Sequence, residues 1–395
     1  MANDVNLSPA RILRVAIAHT LGNGIKFEQV GTLQALRSPQ LKGITDELQP
    51  TKAKEEGRLS FRQGSNGPDD IIPTVKFNYK QQYMPTSKGT ARQVDADGDA
   101  VRPAQELDVD FNLYRQYNHK FNTIDFHKLE PLAAQYLKET KAGVTVTLSK
   151  DDLNELVLVG TEILDTVEGG LLTDMNGDML NMLIANRGGN LVVGQASPAN
   201  KVEPVVPLYN AEGMPSRDLL EAINELKRKH QITGTVIIIG GAKLAKWWDL
   251  KGFVGMSDIG LDLKEVYNKL PAEFYYDPTI DIRYGADKIL ILDPGSACGQ
   301  TILEHKYIVK QKEVAQTSFG QMSLAINQYD SPTFLMDFDL RVRAYDTGKY
   351  PHWIVTPSAK YGGFVRPAGF FKTYGGFTTV TGVYGYQLVD RAPAE

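Results

Sequence analysis

Chemistry in this chain would have to come from a few places. Gly240-Gly241-Ala242-Lys243 follows an apolar run and opens a helical pattern, where backbone N–H groups can bind a phosphate. Its glycines lack the spacing of a P-loop or of a dinucleotide fingerprint, so plain strand-to-helix packing is the better reading. Asp95-Ala96-Asp97-Gly98-Asp99 and Asp174-Met175-Asn176-Gly177-Asp178 have the acidic look of calcium loops. Neither carries the full alternating ligand set, and hairpin-turn and helix-break chemistry accounts for them. Cys298, within Gly295-Ser296-Ala297-Cys298-Gly299, is a nucleophile only if a base such as His305 is oriented on it. A small loop cysteine is the simpler reading. His19, His119, His127, His230, His305 and His352 are scattered singly, which gives no zinc-binding spacing. Lys227-Arg228-Lys229-His230 is a short basic cluster that suits the negative end of a helix. The sequence thus shows no catalytic set, no cofactor and no metal site, and it predicts a protein that is not an enzyme.

The bulk numbers agree with an ordinary folded protein. A chain of 395 residues, 42% hydrophobic and 23% charged, can bury a large core in two or three domains. A net charge of -4 argues against a dedicated nucleic-acid or anionic-membrane binder. The lone Cys298 rules out an intrachain disulfide framework and fits a reducing compartment. Arg11 and Arg14 interrupt the first apolar region, which is not a secretory-signal pattern, and no apolar run reaches membrane-span length.

The elements that would position these residues can be followed along the chain. Ser8-Pro9 opens a short amphipathic helix, and Gly22 to Asp70 turns polar and Gly-, Lys- and Glu-rich, reading as a loosely ordered arm. Ile72 to Tyr79 alternates cleanly and is answered by Leu107 to Leu113, with Asp97-Gly98 a tight-turn dipeptide between them. Such a ribbon is marginal alone, so Val75, Phe77, Val109 and Phe111 need a neighbour from this chain or another. Lys128 to Glu139 predicts a short helix. Ser149 to Asn186 predicts a long amphipathic one, carried by Leu153, Leu156, Ile163, Leu172, Met175, Leu180 and Leu183. Gly169-Gly170 either bends that helix or divides it in two. From Ser216 a capped helix, the strand Thr235 to Ile239 and a helix over Ala242 to Leu250 form an α/β unit. Lys288 to Leu292 and Ile302 to Lys310 predict two more strands. The last third alternates as sheet through Phe338, Leu340 and Val342, and ends in a Gly- and aromatic-rich tail.

This order of parts resembles the tailed-bacteriophage major capsid proteins of the Hong Kong 97 type. Three stretches carry the likeness. Leu107 to Leu113, running on to Asn122-Thr123-Ile124-Asp125, resembles the returning arm of that family's extended loop. Ser216 to Phe253 resembles its axial-domain core. Tyr276-Asp277-Pro278 with Lys288 to Pro294 resembles that domain's next strands, and Phe338 to Trp353 the returning peripheral sheet. The resemblance implies an α+β fold with an N-terminal arm (1–70), an extended β-hairpin loop (71–125) and a peripheral domain with a spine helix (126–210). An α/β axial domain (211–310), a returning peripheral sheet (311–372) and a C-terminal segment (373–395) that can rejoin the axial domain complete it. It implies a shell subunit made in the host cytoplasm that assembles with itself as pentamers and hexamers into a virion head around double-stranded DNA. A separate scaffolding protein, a portal and decoration proteins are the implied partners, and no membrane is involved. Val75, Phe77, Tyr79, Asp97, Gly98, Val109, Phe111 and Leu113 are the implied assembly-interface residues. No Lys–Asn cross-linking pair can be matched. An encapsulin-like compartment shell and an α/β enzyme binding a phosphorylated ligand near Gly240 are the alternatives.

Overall fold

A computed structural model describes residues 30–65, 70–80, 104–122, 167–188, 203–210, 213, 215–250, 272–302, 322–325, 339–345, 352–367, 372–373, 376–377 and 381–391. In chain order, three one-turn helices come first: α1 (Gly31–Leu36), α2 (Lys42–Glu47) and α3 (Pro50–Glu55). Strands β1 (Leu59–Gln63), β2 (Ile71–Lys80), β3 (Ala104–Asp110), β4 (Leu113–Gln116) and β5 (His119–Asn122) follow. A π-helical turn, Val167–Leu172, runs into α4 (Thr173–Ala185). Next come β6 (Val205–Pro207), α5 (Asp218–His230), β7 (Val236–Gly240), α6 (Ala242–Leu250), β8 (Ala272–Tyr276), β9 (Lys288–Leu292) and β10 (Ala297–Ile302). The remainder is strand: β11 (Met322–Ala325), β12 (Asp339–Tyr345), β13 (His352–Val365), β14 (Lys372–Thr373), β15 (Gly376–Phe377) and β16 (Val383–Val389). The fold is α+β.

Three sheets organise these elements. The ribbon β2–β3 pairs antiparallel from Thr74↔Asp110 to Lys80↔Ala104, and β1 adds a third strand along β2. A six-stranded sheet is built on β13, the longest strand at 14 residues. One edge of β13 pairs with β12 and then β10, while the other pairs with β5 and then β4. A five-stranded sheet runs β6-β16-β9-β7-β8 and brings the C-terminal strand next to β9. Its central β7, Val-Ile-Ile-Ile-Gly, is buried at every position, as an apolar run covered on both faces requires. The amphipathic face of α5 (Leu219, Leu220, Ile223, Leu226) and Leu244 and Trp247 of α6 join β7 and β9 in one core.

Residues 30–63 differ from the loosely ordered arm that their polar composition suggests. Ile44, Leu48 and Ala53 pack with Val75, Phe77, Val109 and Phe111 of the ribbon and with Cys298, Ile302 and Phe364 of the six-stranded sheet. The helices are six residues each, too short to print a periodicity, and tertiary contacts hold them.

Other expectations fare differently. A strand not expected from the sequence runs over Ala297–Ile302, and the one expected over Ile302 to Lys310 lies, beyond Ile302, outside the described residues. Gly299 sits opposite Gly363 and Gln300 opposite Gly362 of β13 in the ladder, and a side chain on Gly363 would strike the sulfur of Met182 on α4. The small size of Gly363 serves a close helix-on-sheet approach. Asp174 to Asp178 is no helix break, since it lies within α4. Gly169-Gly170 sits in the π-turn that continues directly into α4. Gly170 lies hard against the ring of Tyr117, with room for no side chain. Residues 1–29, 81–103, 123–166 and 303–310 lie outside the described residues. The predicted helices at Ser8 to Thr20, Lys128 to Glu139 and the first half of Ser149 to Asn186 fall there.

Candidate functional site

Several of the positions read for chemistry are engaged within the chain; Asp95 to Asp99, His19, His127 and His305 lie outside the described residues. The N-terminus of α6 is occupied by an internal carboxylate: Ala242 N donates to Asp281 Oδ2 at 3.1 Å, and a side chain on Gly241 would collide with that carboxyl. Asp281 therefore takes the place an anion would need. Lys243, which would have reached a phosphate, instead donates to the Leu388 carbonyl at 3.1 Å and pairs with Asp390. Cys298 is a buried strand residue, not a loop cysteine, and burial pushes its thiol up to about 12, far from the thiolate a nucleophile needs. The acidic residues of α4 face different partners. Asp174 accepts from the Tyr117 hydroxyl, while Asp178 accepts from Arg115 Nη2 at 3.0 Å and from the Tyr361 hydroxyl. Among the described residues, no group of three or more His, Cys, Asp or Glu side chains could hold a metal ion. In the basic cluster Lys227 donates to the Gly234 carbonyl, and the buried His230 ring lies 5.1 Å from that of Tyr384.

The ribbon residues expected at an intersubunit contact divide in two. Val75, Phe77, Val109 and Phe111 are covered by this chain's own α2, α3, β10 and β13. Phe77 and Phe364 meet edge to face at 5.6 Å. The four therefore build the root of the ribbon and are buried by a neighbour from this chain, one of the two sources expected for their cover. Leu113 and its neighbour Tyr114 are exposed, at 36% and 37%. The Tyr79 side chain, Asp97 and Gly98 lie outside what is described. The ribbon's other face is charged, with Lys76 2.9 Å from Glu106 and Arg62 paired to Asp110.

The most elaborate constellation was not singled out from sequence. Asp277 follows β8, caps the short turn Pro278–Ile280 by accepting from Thr279 N at 2.9 Å, and is fully buried. Its other oxygen accepts from Thr32 N at 2.9 Å, from the Thr32 hydroxyl and from Asn176 Nδ2 at 2.8 Å. Asn176 Oδ1 in turn accepts from Leu33 N at 3.1 Å. One carboxylate and one amide thus join the N-terminal segment, α4 and the five-stranded sheet. Next to this knot Arg283 lies so close over Gly177 of α4 that a methyl there would collide with its guanidinium.

Where α4 ends, Arg187 donates to Glu203 Oε1 at 2.7 Å and to the Ile184 carbonyl at 2.6 Å, while Lys288 lies 3.3 Å from Glu203. Two cations balance one buried carboxylate, as its desolvation demands. Tyr284 also donates to Glu203, and burial followed by that carboxylate pushes its hydroxyl pKa well up. A third buried pair, Asp293 with Arg366 Nη2 at 2.9 Å, ties the β9–β10 turn to the end of β13. Burial raises the Asp293 carboxyl to about 6, against the pull of Arg366 and Lys227. Only the Asp-Pro dipeptide, a common helix opening, signalled Asp277 in advance. Its partners lie 101 and 245 residues away.

No protein-family model matches the chain, and no curated protein matches it. The chain is similar to several solved phage structures. One from Mycobacterium phage Che8 has 14% identity and a TM-score of 0.38, covering 80% of this chain and 84% of that one. The cyanophage A-1(L) capsid asymmetric unit has 10% identity and a TM-score of 0.40, covering 80% and 88%. The capsid structure of Staphylococcus phage Andhra has 8% identity and a TM-score of 0.31, covering 84% and 83%. At such identities and TM-scores no residue role passes from them to this chain.

Proposed function

We propose that this chain is a structural subunit that assembles with copies of itself into the icosahedral head shell of a tailed phage. The observation that supports it is connectivity. The chain leaves through a long ribbon, contributes β4 and β5 to one sheet, builds the α/β sheet, returns to complete the first sheet with β10 to β13, and closes the second with β16. That interleaving matches the layout which the Hong Kong 97-type resemblance implies. The former chemical candidates are spent on internal ties, and a load-bearing subunit needs such ties more than it needs a cleft. In this reading the protein has no enzymatic role, and it is made in the host cytoplasm and incorporated into the virion. It encloses double-stranded DNA without reading its sequence, and it meets a scaffolding protein, a portal and decoration proteins. The ribbon tip around Asp97-Gly98, with Tyr79, Leu113 and the exposed Tyr114, is the proposed contact with a neighbouring copy.

Electron microscopy and light scattering of the purified protein, with and without a co-expressed scaffolding protein, test this. Closed shells or their capsomers are expected, and only monomers or dimers under both conditions would refute it. Deleting Pro85 to Pro103 should leave a soluble, folded chain that forms no shells, because the root cluster is internal while the tip is removed.

A further inference from the structure

The first described segment, residues 30–48, touches every major part of the molecule but owns little structure of its own. Its helices α1 and α2 have six residues each and no side-chain cap, well below the length at which a helix stands alone in water. It is held by single polar contacts at widely separated points. Thr32 and Leu33 engage Asp277 and Asn176. Gln40 donates to Glu273 of β8 at 3.2 Å, and its carbonyl accepts from Gly295 N. Gln300 of β10 donates to the Thr45 carbonyl at 3.0 Å. Beneath it, Leu33, Leu36 and Leu41 are fully buried, and Gly31 packs directly on the Tyr276 carbonyl at the end of β8, an outer strand of the five-stranded sheet.

The ladders under the segment do not depend on it: the β7–β8 and β7–β9 ladders and the α4 helix make their own backbone hydrogen bonds, whereas Gly295 N, Asp277 and Asn176 would each lose a partner. Lifting the segment would cost its apolar contacts and the knot, but no ladder of the sheet.

We propose that residues 30–48 form a releasable strap. Latched through Thr32–Asp277–Asn176, the strap fixes α4 against the five-stranded sheet. Released, it frees that joint while both sheets stay folded. This holds whether or not the chain builds a shell.

Hydrogen–deuterium exchange on the full-length protein, followed in rising sub-denaturing urea, tests it. In the unaltered chain, amides of residues 31–48 should exchange through an opening whose urea response is clear but smaller than that of global unfolding, while those of β7 and β9 exchange only with global unfolding. Strap amides that follow the global curve would overturn the proposal, because the segment would then have no separate released state. Thr32→Val should speed exchange over residues 31–41 by tenfold or more and leave β7 and β9 amides unchanged, and Thr32→Ser should restore the slow rate. An unchanged strap, or equal acceleration everywhere, counts against the latch. Should Thr32→Val fail to fold, Gln300→Ala removes the bond it donates to the Thr45 carbonyl and the one it accepts from Arg37 Nη2. It should accelerate residues 37–48 selectively, and no selective change there would equally refute a strap held by separable contacts.

Discussion

The root of the ribbon and the joint around Asp277 are both buried, yet they are made of opposite materials. The root joins Val75, Phe77, Val109, Phe111 and Phe364 by contact alone. The joint holds a fully buried carboxylate with donors from three parts of the chain. Apolar burial is non-directional and scales with area, about 25 cal/mol per Å², so the root can adapt its shape. Hydrogen bonds at a buried carboxylate are directional, and a donor left without one costs about 1–3 kcal/mol. The root therefore supplies adhesion, and the joint supplies register between α4 and the five-stranded sheet.

Substitutions can break or sharpen that contrast. The largest loss is expected from Phe111→Ala, which opens a cavity in the root and should cost about 3–5 kcal/mol in urea unfolding. Asp277→Asn is nearly isosteric, yet it turns an amide N–H toward donors and should still cost ~2–4 kcal/mol by the same assay. If Asp277→Asn proves as mild as a volume-conserving core swap, the joint is not a register device.

Asp293 adds a pH test. Its folded pKa, about 6, stands above the ordinary 3.8, so the folded state holds the proton more tightly. That contribution is fully present below pH 3.8 and is lost as pH rises through 6, by at most ~3 kcal/mol at ~1.4 kcal/mol per pKa unit. Asp293→Asn should flatten the fall in stability between pH 4 and pH 7, and an unaltered slope would exclude this carboxyl as its source. Phe111→Leu keeps most of the buried volume and should cost less than ~1.5 kcal/mol, the adaptable counterpart of Asp277→Asn. Lys76→Ala, at the solvent-exposed pair with Glu106, should leave the unfolding midpoint unchanged.

How much of this was legible in the sequence follows from the same contrast. Lys288 to Leu292 and the β7 run declared themselves because apolar composition and strand length coincide. Ala242 to Leu250 did so by helical spacing. The root residues were visible through alternation at Val75, Phe77, Val109 and Phe111, while their cover, from the polar segment at 30–63 and from β10 and β13 of this chain, was not. That segment hid its role because six-residue helices carry no period. β10 was missed because Gly295-Ser296-Ala297-Cys298-Gly299 is rich in small residues and shows no apolar alternation. Asp277 and Asn176 were invisible as partners, since single polar residues leave no pattern and their contacts span 101 and 245 positions.

The long strand β13 carries a mechanical consequence. At about 3.3 Å per residue it extends roughly 45 Å, and both of its edges are laced to other strands in sequence along that length. A pull along its axis loads the β12, β10, β5 and β4 ladders together, so their hydrogen bonds must yield in shear rather than unzip one after another. Tension entering near His352 is delivered at the other end to Arg366, whose buried bond to Asp293 passes it to the neighbouring sheet. The strand works as a tie rod through the body of the protein.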